Sequence, residues 1–364
     1  MNLKRIIPSL CIVIISGTSL FAQPSRIVQT LDTDWKFFNG EIRGAEKPEL
    51  KTDDWQTVEV PHDWAISGPF DENNDLQVVQ VKEDGETVAK RRSGRTGGLP
   101  HVGIGWYRKS LDIPMGWKDK KIFAEFDGAM SHAQVYLNGQ FVGEWPYGYA
   151  SFGFELTDKI VFGSKNLLAV RLENKPNSSR WYPGAGLYRN VRLIATNPVH
   201  VKQWGTYITT PEIEKGNGAL TIETTLDGIN NLNQHVKLIT NIYNIKNQLV
   251  VSVMNDAIGE KNKQQLIIDQ PHLWSVTDPY LYRAESVVEM DGKEIDRYNT
   301  VFGFRYFKFT SDNGFFLNGK NIKLNGVCMH HDLGALGTAI NISAIKRQLT
   351  LLQEMGCNAM HHSP

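Results

Sequence analysis

The residues best placed to do chemistry form one short run, Asn325 to Gly337, reading N-G-V-C-M-H-H-D-L-G-A-L-G. His330, His331 and Asp332 put three polar, hydrogen-bonding side chains where an apolar run stops, and the flexible Gly334 and Gly337 follow. A strand end that faces an active site has this composition. His62 and Asp63, side by side in Pro61-His62-Asp63-Trp64, invite reading as a catalytic pair. Adjacent strand residues point to opposite faces, so a structural role is expected for them. His361 and His362 are neighbours in the same sense, and no metal site is assigned to the histidines. No cofactor is expected.

A third group lies in Ser178-Ser179-Arg180-Trp181-Tyr182-Pro183-Gly184-Ala185-Gly186-Leu187-Tyr188-Arg189, a connection unusually dense in aromatic, cationic and glycine residues. Two uses fit it. Arg180 and Trp181 could meet a sugar, with a guanidinium fork holding two hydroxyls and an indole covering a ring face. The loop could equally dock its domain onto a neighbour.

The elements that must position His330 are readable. Phe315-Phe316-Leu317-Asn318-Gly319-Lys320 predicts a hairpin, because Asn-Gly favours the tight primed turn, and a buried strand is expected from about Ile322 to Met329. Ile342, Ile345, Leu349, Leu352 and Met355 make one helical stripe, with Asn341 as its cap and Gly356 as its terminator. Cys357-Asn358-Ala359-Met360 opens a second short strand. Strand, crossover helix and strand make a βαβ unit of the kind that begins a (β/α)8 barrel, with two of its eight strands present.

Composition sets the wider limits. With 364 residues and 41% hydrophobic content, two or three domains with real cores are expected. The 39 basic residues cancel the 39 acidic ones, so no overall field would gather nucleic acid or an anionic membrane. Residues 1–22 are expected to be an export signal: Lys4 and Arg5 precede an apolar run from Ile6 to Ile15 that is too short to span a bilayer comfortably. Cleavage after Ala22 would leave an exported protein, periplasmic or secreted, with no membrane span and no lipid anchor on Cys11. Cys328 and Cys357 then remain, expected as buried thiols.

From Leu31 onward the chain reads as short strands and turns. Asp34 to Phe38, Asp53 to Val60, Gly105 to Lys109, Ile122 to Phe126, the Val135 to Gly143 hairpin, Leu167 to Leu172 and Val191 to Ile194 fill an all-β domain over 23–198, a sandwich or jelly roll. Residues 71–98 form a long polar insertion in it, expected as a solvated, self-pairing loop. A second β domain, 199–305, carries strands at Leu220, His235, Leu249 and Leu281 and a hairpin at Asp291-Gly292, as an immunoglobulin-like sandwich would. The barrel segment is 306–364. The fold class is therefore mainly β, two sandwiches followed by the first βαβ unit of an incomplete barrel.

Taken in order, Pro61-His62-Asp63-Trp64, Gly105-Trp106-Tyr107-Arg108-Lys109, Ser179 to Arg189, Pro271-His272-Leu273-Trp274-Ser275 with Asp278-Pro279-Tyr280-Leu281-Tyr282, and Gly326 to Gly337 resemble glycoside hydrolase family 2, especially its β-galactosidase and β-glucuronidase-like members. The resemblance spans essentially the whole mature chain. It implies a jelly-roll sugar-binding domain, an immunoglobulin-like domain and a catalytic barrel, with an oligosaccharide or glycoside as partner. It also implies retaining hydrolysis of terminal β-linked sugars, most simply β-galactosides, by a carboxylic acid that protonates the leaving oxygen and a carboxylate about 5 Å away that attacks the anomeric carbon. In the family both are glutamates on barrel strands later than these two, so no catalytic residue is assigned and the chain alone is expected to be inactive. By its place in the motif His330 corresponds to a histidine that contacts the sugar, with His331 and Asp332 shaping the same wall. Arg180 falls in the loop that reaches toward the barrel mouth, where members often carry an acidic residue. Family members continue after Asn358-Ala359 with an arginine, a Ser-His pair and a proline, whereas Met360-His361-His362-Ser363-Pro364 stands here, as truncation would leave it. The competing reading is a non-catalytic carbohydrate-binding or scaffold protein.

Overall fold

The structure is a computed structural model that describes residues 24–71, 74, 78–82, 85–88, 90–93, 103–176, 181–211, 216–230 and 233–362. The expected export signal lies outside the described residues. So does Arg180.

The first domain is two antiparallel sheets packed face to face. One has four strands in the order Ile27–Thr30, Val191–Thr196, Lys121–Phe126, Phe152–Glu155. The other has six, Gln56–Val58, Trp35–Asn39, Gly103–Ile113, Ser164–Asn174, Ala133–Leu137, Gln140–Trp145. Alternation drives the packing: Ile122, Ala124 and Phe126 point inward from one sheet, and Ala133, Val135 and Leu137 from the other, all fully buried. Each large side chain so removed from water contributes about 1.5–3 kcal/mol. Asn138 and Gly139, both at positive φ, close the hairpin at the turn that Asn-Gly predicts. The polar insertion holds an antiparallel pair, Val78–Val81 with Lys90–Ser93, and so is not a bare loop.

The second domain stacks three strands, His200–Thr209, Asn217–Asp227 and Lys261–Asp269, on four, Leu249–Asp256, Val236–Tyr243, Tyr282–Met290 and Lys293–Phe302. Val236–Tyr243 alternates buried and half-buried along its whole length. Asp291-Gly292 makes a second primed turn.

Two joints hold the units together. Between the sandwiches, Arg26 grips Asp296 with two nitrogens at 2.8 and 3.0 Å, and Val201 N–H adds a third bond to that carboxylate at 2.7 Å. Asp296 is fully buried. Between the second sandwich and the last segment, Trp274 N–H donates to Phe304 O while Asn318 Nδ2 donates to Trp274 O, and Arg305 lies 4.8 Å over the indole.

That last segment begins with the strands Phe307–Thr310, Gly314–Leu317 and Lys320–Asn321, whose Asn318-Gly319 turn again has both residues at positive φ. Gly326–Met329 and Ala359–His362 then pair in parallel, with helix Ile342–Glu354 crossing between them. Asn341 caps the helix, its Oδ1 accepting Ala344 N–H at 3.0 Å. Three expectations need correction. The strand expected from Ile322 starts only at Gly326, because Asn358 stands in for a ladder neighbour upstream, bonding Lys323 O and Asn325 N–H through its side chain. Cys328 is exposed and Cys357 half-buried, not buried thiols, because one two-stranded sheet and one helix cannot enclose them. The helical stripe is likewise only part-covered: Ile345 and Leu352 are half-buried, while Ile342 and Met355 face outward.

Removing the guanidinium of Arg26 strands a fully buried carboxylate, a loss of about 3–5 kcal/mol. Thermal unfolding of Arg26→Ala should therefore show a marked fall in melting temperature, and a variant that melts with the wild type would contradict the joint.

Candidate active site

A buried carboxylate builds the site. Asp63 is 4% exposed. Its Oδ1 accepts the Ala65 and Ala185 N–H groups, each at 3.0 Å. Its Oδ2 accepts the Tyr182 hydroxyl at 2.7 Å and both the N–H and the hydroxyl of Thr338, at 2.8 and 2.9 Å. One side chain thus ties together its own turn, the aromatic loop of the first sandwich and the loop that follows His330. The approach is close enough to demand glycine on both sides. A Cβ on Gly184 would stand 1.9 Å from Thr338 Oγ1, and one on Gly337 would stand 2.4 Å from Asp63 Oδ2, with both residues at positive φ.

Backbone pairing fixes the aromatic loop further. His62 N–H donates to Leu187 O and Trp64 N–H to Ala185 O, while Met130 and Gly186 exchange two bonds. Ile340 N–H donates to Tyr188 O, which binds the last segment to the same loop. Asn174 Nδ2 holds Gly184 O at 2.5 Å from the sheet beneath. Residues 184–188 of the loop are therefore tied both to the sheet beneath and to the last segment.

In the same loop Trp181 stacks on His330 with ring centres 4.7 Å apart and planes 17° apart. Trp181 Nε1 donates to the Tyr149 hydroxyl at 3.0 Å. His331 Nε2 donates to Pro183 O at 2.9 Å, and its ring packs edgewise on Tyr149 at 5.1 Å and against Tyr188 at 5.6 Å. Tyr188, whose hydroxyl bonds Gly148 O, is buried, and burial pushes it up to about 12. Asp332 is exposed and makes no hydrogen bond or ion pair among the described residues. Its charge reaches Tyr182, whose phenol is held well above its usual range mainly by burial, with Asp63 and Asp332 adding to the effect.

The structure thus brings Trp181, His330 and His331 together and leaves Asp332 exposed. His331 is spent on Pro183 and two aromatic rings, so of the two histidines His330 is the one with a ring face at the stack. His62 and Asp63 diverge, although neither lies in a strand, the preceding one ending at Val58: His62 Nδ1 meets the Tyr107 hydroxyl at 2.7 Å, and Asp63 turns to the loops. Tyr149, Tyr182 and Thr338 were not singled out from the sequence. The glycines of Pro183-Gly184-Ala185-Gly186 and of Leu336-Gly337-Thr338 were the available signal, since two backbones meet there. Among the described residues no cluster of three metal-ligating side chains occurs. The arrangement presents an indole stacked on an imidazole, with an exposed carboxylate two residues further along the chain, and groups of these kinds suit a polyhydroxylated ring.

Two outcomes follow. Asp63→Ala leaves up to five donors without their acceptor and should lower stability by about 3–5 kcal/mol, with the stretch 333–340 becoming the first site of proteolytic cutting. Unchanged melting and cutting would refute the tie. Burial depresses His62 to about 4 from its ordinary 6.5, against the pull of Asp63. The unfolded chain therefore takes up a proton that the folded chain refuses. The contribution of His62 is complete above about 6.5 and is lost as pH falls toward 4, on the order of 3 kcal/mol. Melting curves at pH 7 and pH 4.5 should show a smaller loss for His62→Gln than for the wild type; equal losses would rule the residue out.

Residues 28–198 match the sugar binding domain of glycosyl hydrolases family 2, and residues 199–305 match a second domain of glycosyl hydrolases family 2. The β-galactosidase BoGH2A of Bacteroides ovatus is 38% identical over 358 residues, covering 96% of this chain and 40% of that protein. A putative β-glucuronidase of Formosa agariphila is 33% identical over 359 residues, covering 97% of this chain and 32% of its own length. Among solved structures, a glycosyl hydrolase family 2 member from Bacteroides cellulosilyticus has a TM-score of 0.80 at 34% identity, over 92% of this chain and 43% of that one. A β-glycosidase from Bacteroides vulgatus has a TM-score of 0.82 at 30% identity, over 93% and 41%. The chain spans about two-fifths or less of the length of these proteins. Its two sandwiches and the unit that follows them, in family order, make this chain a member of glycoside hydrolase family 2.

Proposed function

We propose that this chain supplies the sugar-contacting wall of an exported, retaining β-glycosidase that acts on terminal β-linked sugars, β-galactosides first. The observation that carries the reading is the Trp181–His330 stack, which sets an indole from the sugar binding domain against an imidazole at the end of a parallel strand. A pyranose has one apolar face and a rim of hydroxyls. An indole covers the face, and an imidazole with a carboxylate beside it, here His330 and Asp332, takes the rim.

Hydrolysis with retention needs two carboxyl groups about 5 Å apart, one to protonate the leaving oxygen and one to attack the anomeric carbon. Asp332 is the one carboxylate of the His330-His331-Asp332 run, and a single carboxylate cannot fill both roles. Its part is contact, and the acid and nucleophile are not assigned to residues of this chain. Export rests on the leader-like residues 1–22, and the choice of β-galactoside over β-glucuronide on the more similar of these two relatives, the Bacteroides ovatus β-galactosidase.

The complete gene product should cleave nitrophenyl β-galactoside, releasing the β-anomer first by NMR, while the 364-residue chain alone gives no turnover. In the complete product Trp181→Ala and His330→Ala should each lower kcat/KM by about 10- to 100-fold, the loss of one good contact. Sugar binding with no hydrolysis by the complete product would favour a carbohydrate-binding or scaffold role. Full activity in both variants would sink the wall itself.

A further inference from the structure

Helix Ile342–Glu354 turns a polar residue inward where an apolar one would pack. Gln348 sits between Ala344 and Leu352 on the half-buried face, and its Oε1 is shielded from solvent with no hydrogen-bond partner among the described residues. His330 Nδ1 is shielded in the same way. Both residues line one cavity of about 120 Å³ that is also lined by apolar side chains, among them Met329, Leu333, Ile345 and Leu349, and by Arg189, His331 and Thr338. Two shielded polar atoms left without partners would each cost about 1–3 kcal/mol. A cavity of that size holds water with room to spare.

We propose that Gln348 positions His330 through a buried water and thereby sets which ring nitrogen faces the sugar. A water between the two can be arranged in two ways. If it donates to both Gln348 Oε1 and a bare His330 Nδ1, both of its protons are spent and its lone pairs need a separate donor, for which Arg189 is the one cationic side chain in the lining. If His330 Nδ1–H donates to the water and the water donates to Gln348 Oε1, the bonds run head to tail and reinforce one another. The second arrangement is the one that Gln348 selects. It places the imidazole proton on Nδ1 and leaves Nε2 bare, and Nε2 is neither shielded from solvent nor bonded to protein among the described residues. His330 therefore meets a sugar as an acceptor of a hydroxyl proton, beneath the Trp181 ring. Gln348 is a positioning residue, since it acts only through His330. The last step, toward a sugar, rests on the proposed glycosidase function; the relay itself does not.

The test reads the tautomer directly. In the 364-residue chain labelled with 15N-histidine, ring nitrogen shifts report which nitrogen carries the proton, and His330→Gln assigns the signal by its loss. The wild type should show His330 protonated on Nδ1 at neutral pH. Gln348→Leu should move it toward the Nε2–H form that free imidazole prefers, changing the ratio by about five- to tenfold, the equivalent of one hydrogen bond. Gln348→Glu, which keeps an acceptor oxygen, should hold the Nδ1–H form. A wild-type His330 protonated on Nε2, or the same tautomer in Gln348→Leu, would overturn the relay, and the wild-type measurement alone can do so if the leucine variant does not fold. Titration with methyl β-galactoside separates the two ideas. A tautomer that changes while sugar affinity does not leaves the relay standing and counts against the sugar contact.

Discussion

A carboxylate taken out of water must have its oxygens filled, and Asp63 fills them with donors from three stretches of chain that are far apart in sequence. Because Tyr182, Ala185 and Thr338 must all converge on one side chain, the aromatic loop and the loop after His330 have a single relative placement. The requirement spreads outward. Gly184 and Gly337 have to be glycine, and Asn174 has to hold Gly184 from below, so that the two backbones can approach. A tie of this kind is specific because a partial version of it is worse than none.

What the tie positions is the Trp181–His330 contact. Neither residue is fixed by its own secondary structure: Trp181 lies in a connection and His330 one residue past a short strand. Their alignment is inherited from Asp63, from His331 bonded to Pro183, and from Ile340 paired with Tyr188. The Arg26–Asp296 joint and the Trp274 hinge do the same at larger scale, holding the second sandwich against the first and the last segment against the second. In each joint a polar group at least partly withdrawn from water is satisfied from across a boundary.

Much of the architecture was legible because it is local. Three Asn-Gly or Asp-Gly pairs adopt the primed turn their φ preferences favour, and Asn341 caps the helix where the periodic stripe begins. Strands failed to register where alternation was masked by polar residues. Lys261–Asp269 buries Gln264, whose amide bonds Thr240 and Leu238 O, so a core position reads as polar. Phe152–Glu155 is four residues long with Gly153 packed against Gln203. The start of strand Gly326–Met329 was misplaced because Asn358 supplies, from its side chain, bonds that a backbone ladder would otherwise give.

By itself the sequence determined the order of the units, the family motifs and the run of polar residues at His330, because turn geometry, alternation and helix capping act over a few residues. Tertiary structure decided which of those residues work together. It turned His62 toward Tyr107 and Asp63 toward the loops, placed Trp181 over His330, committed His331 to Pro183 and left Asp332 open. The physical reason is that these outcomes rest on hydrogen bonds and ring contacts between residues far apart along the chain, and a partner at that range is set by where the backbones run.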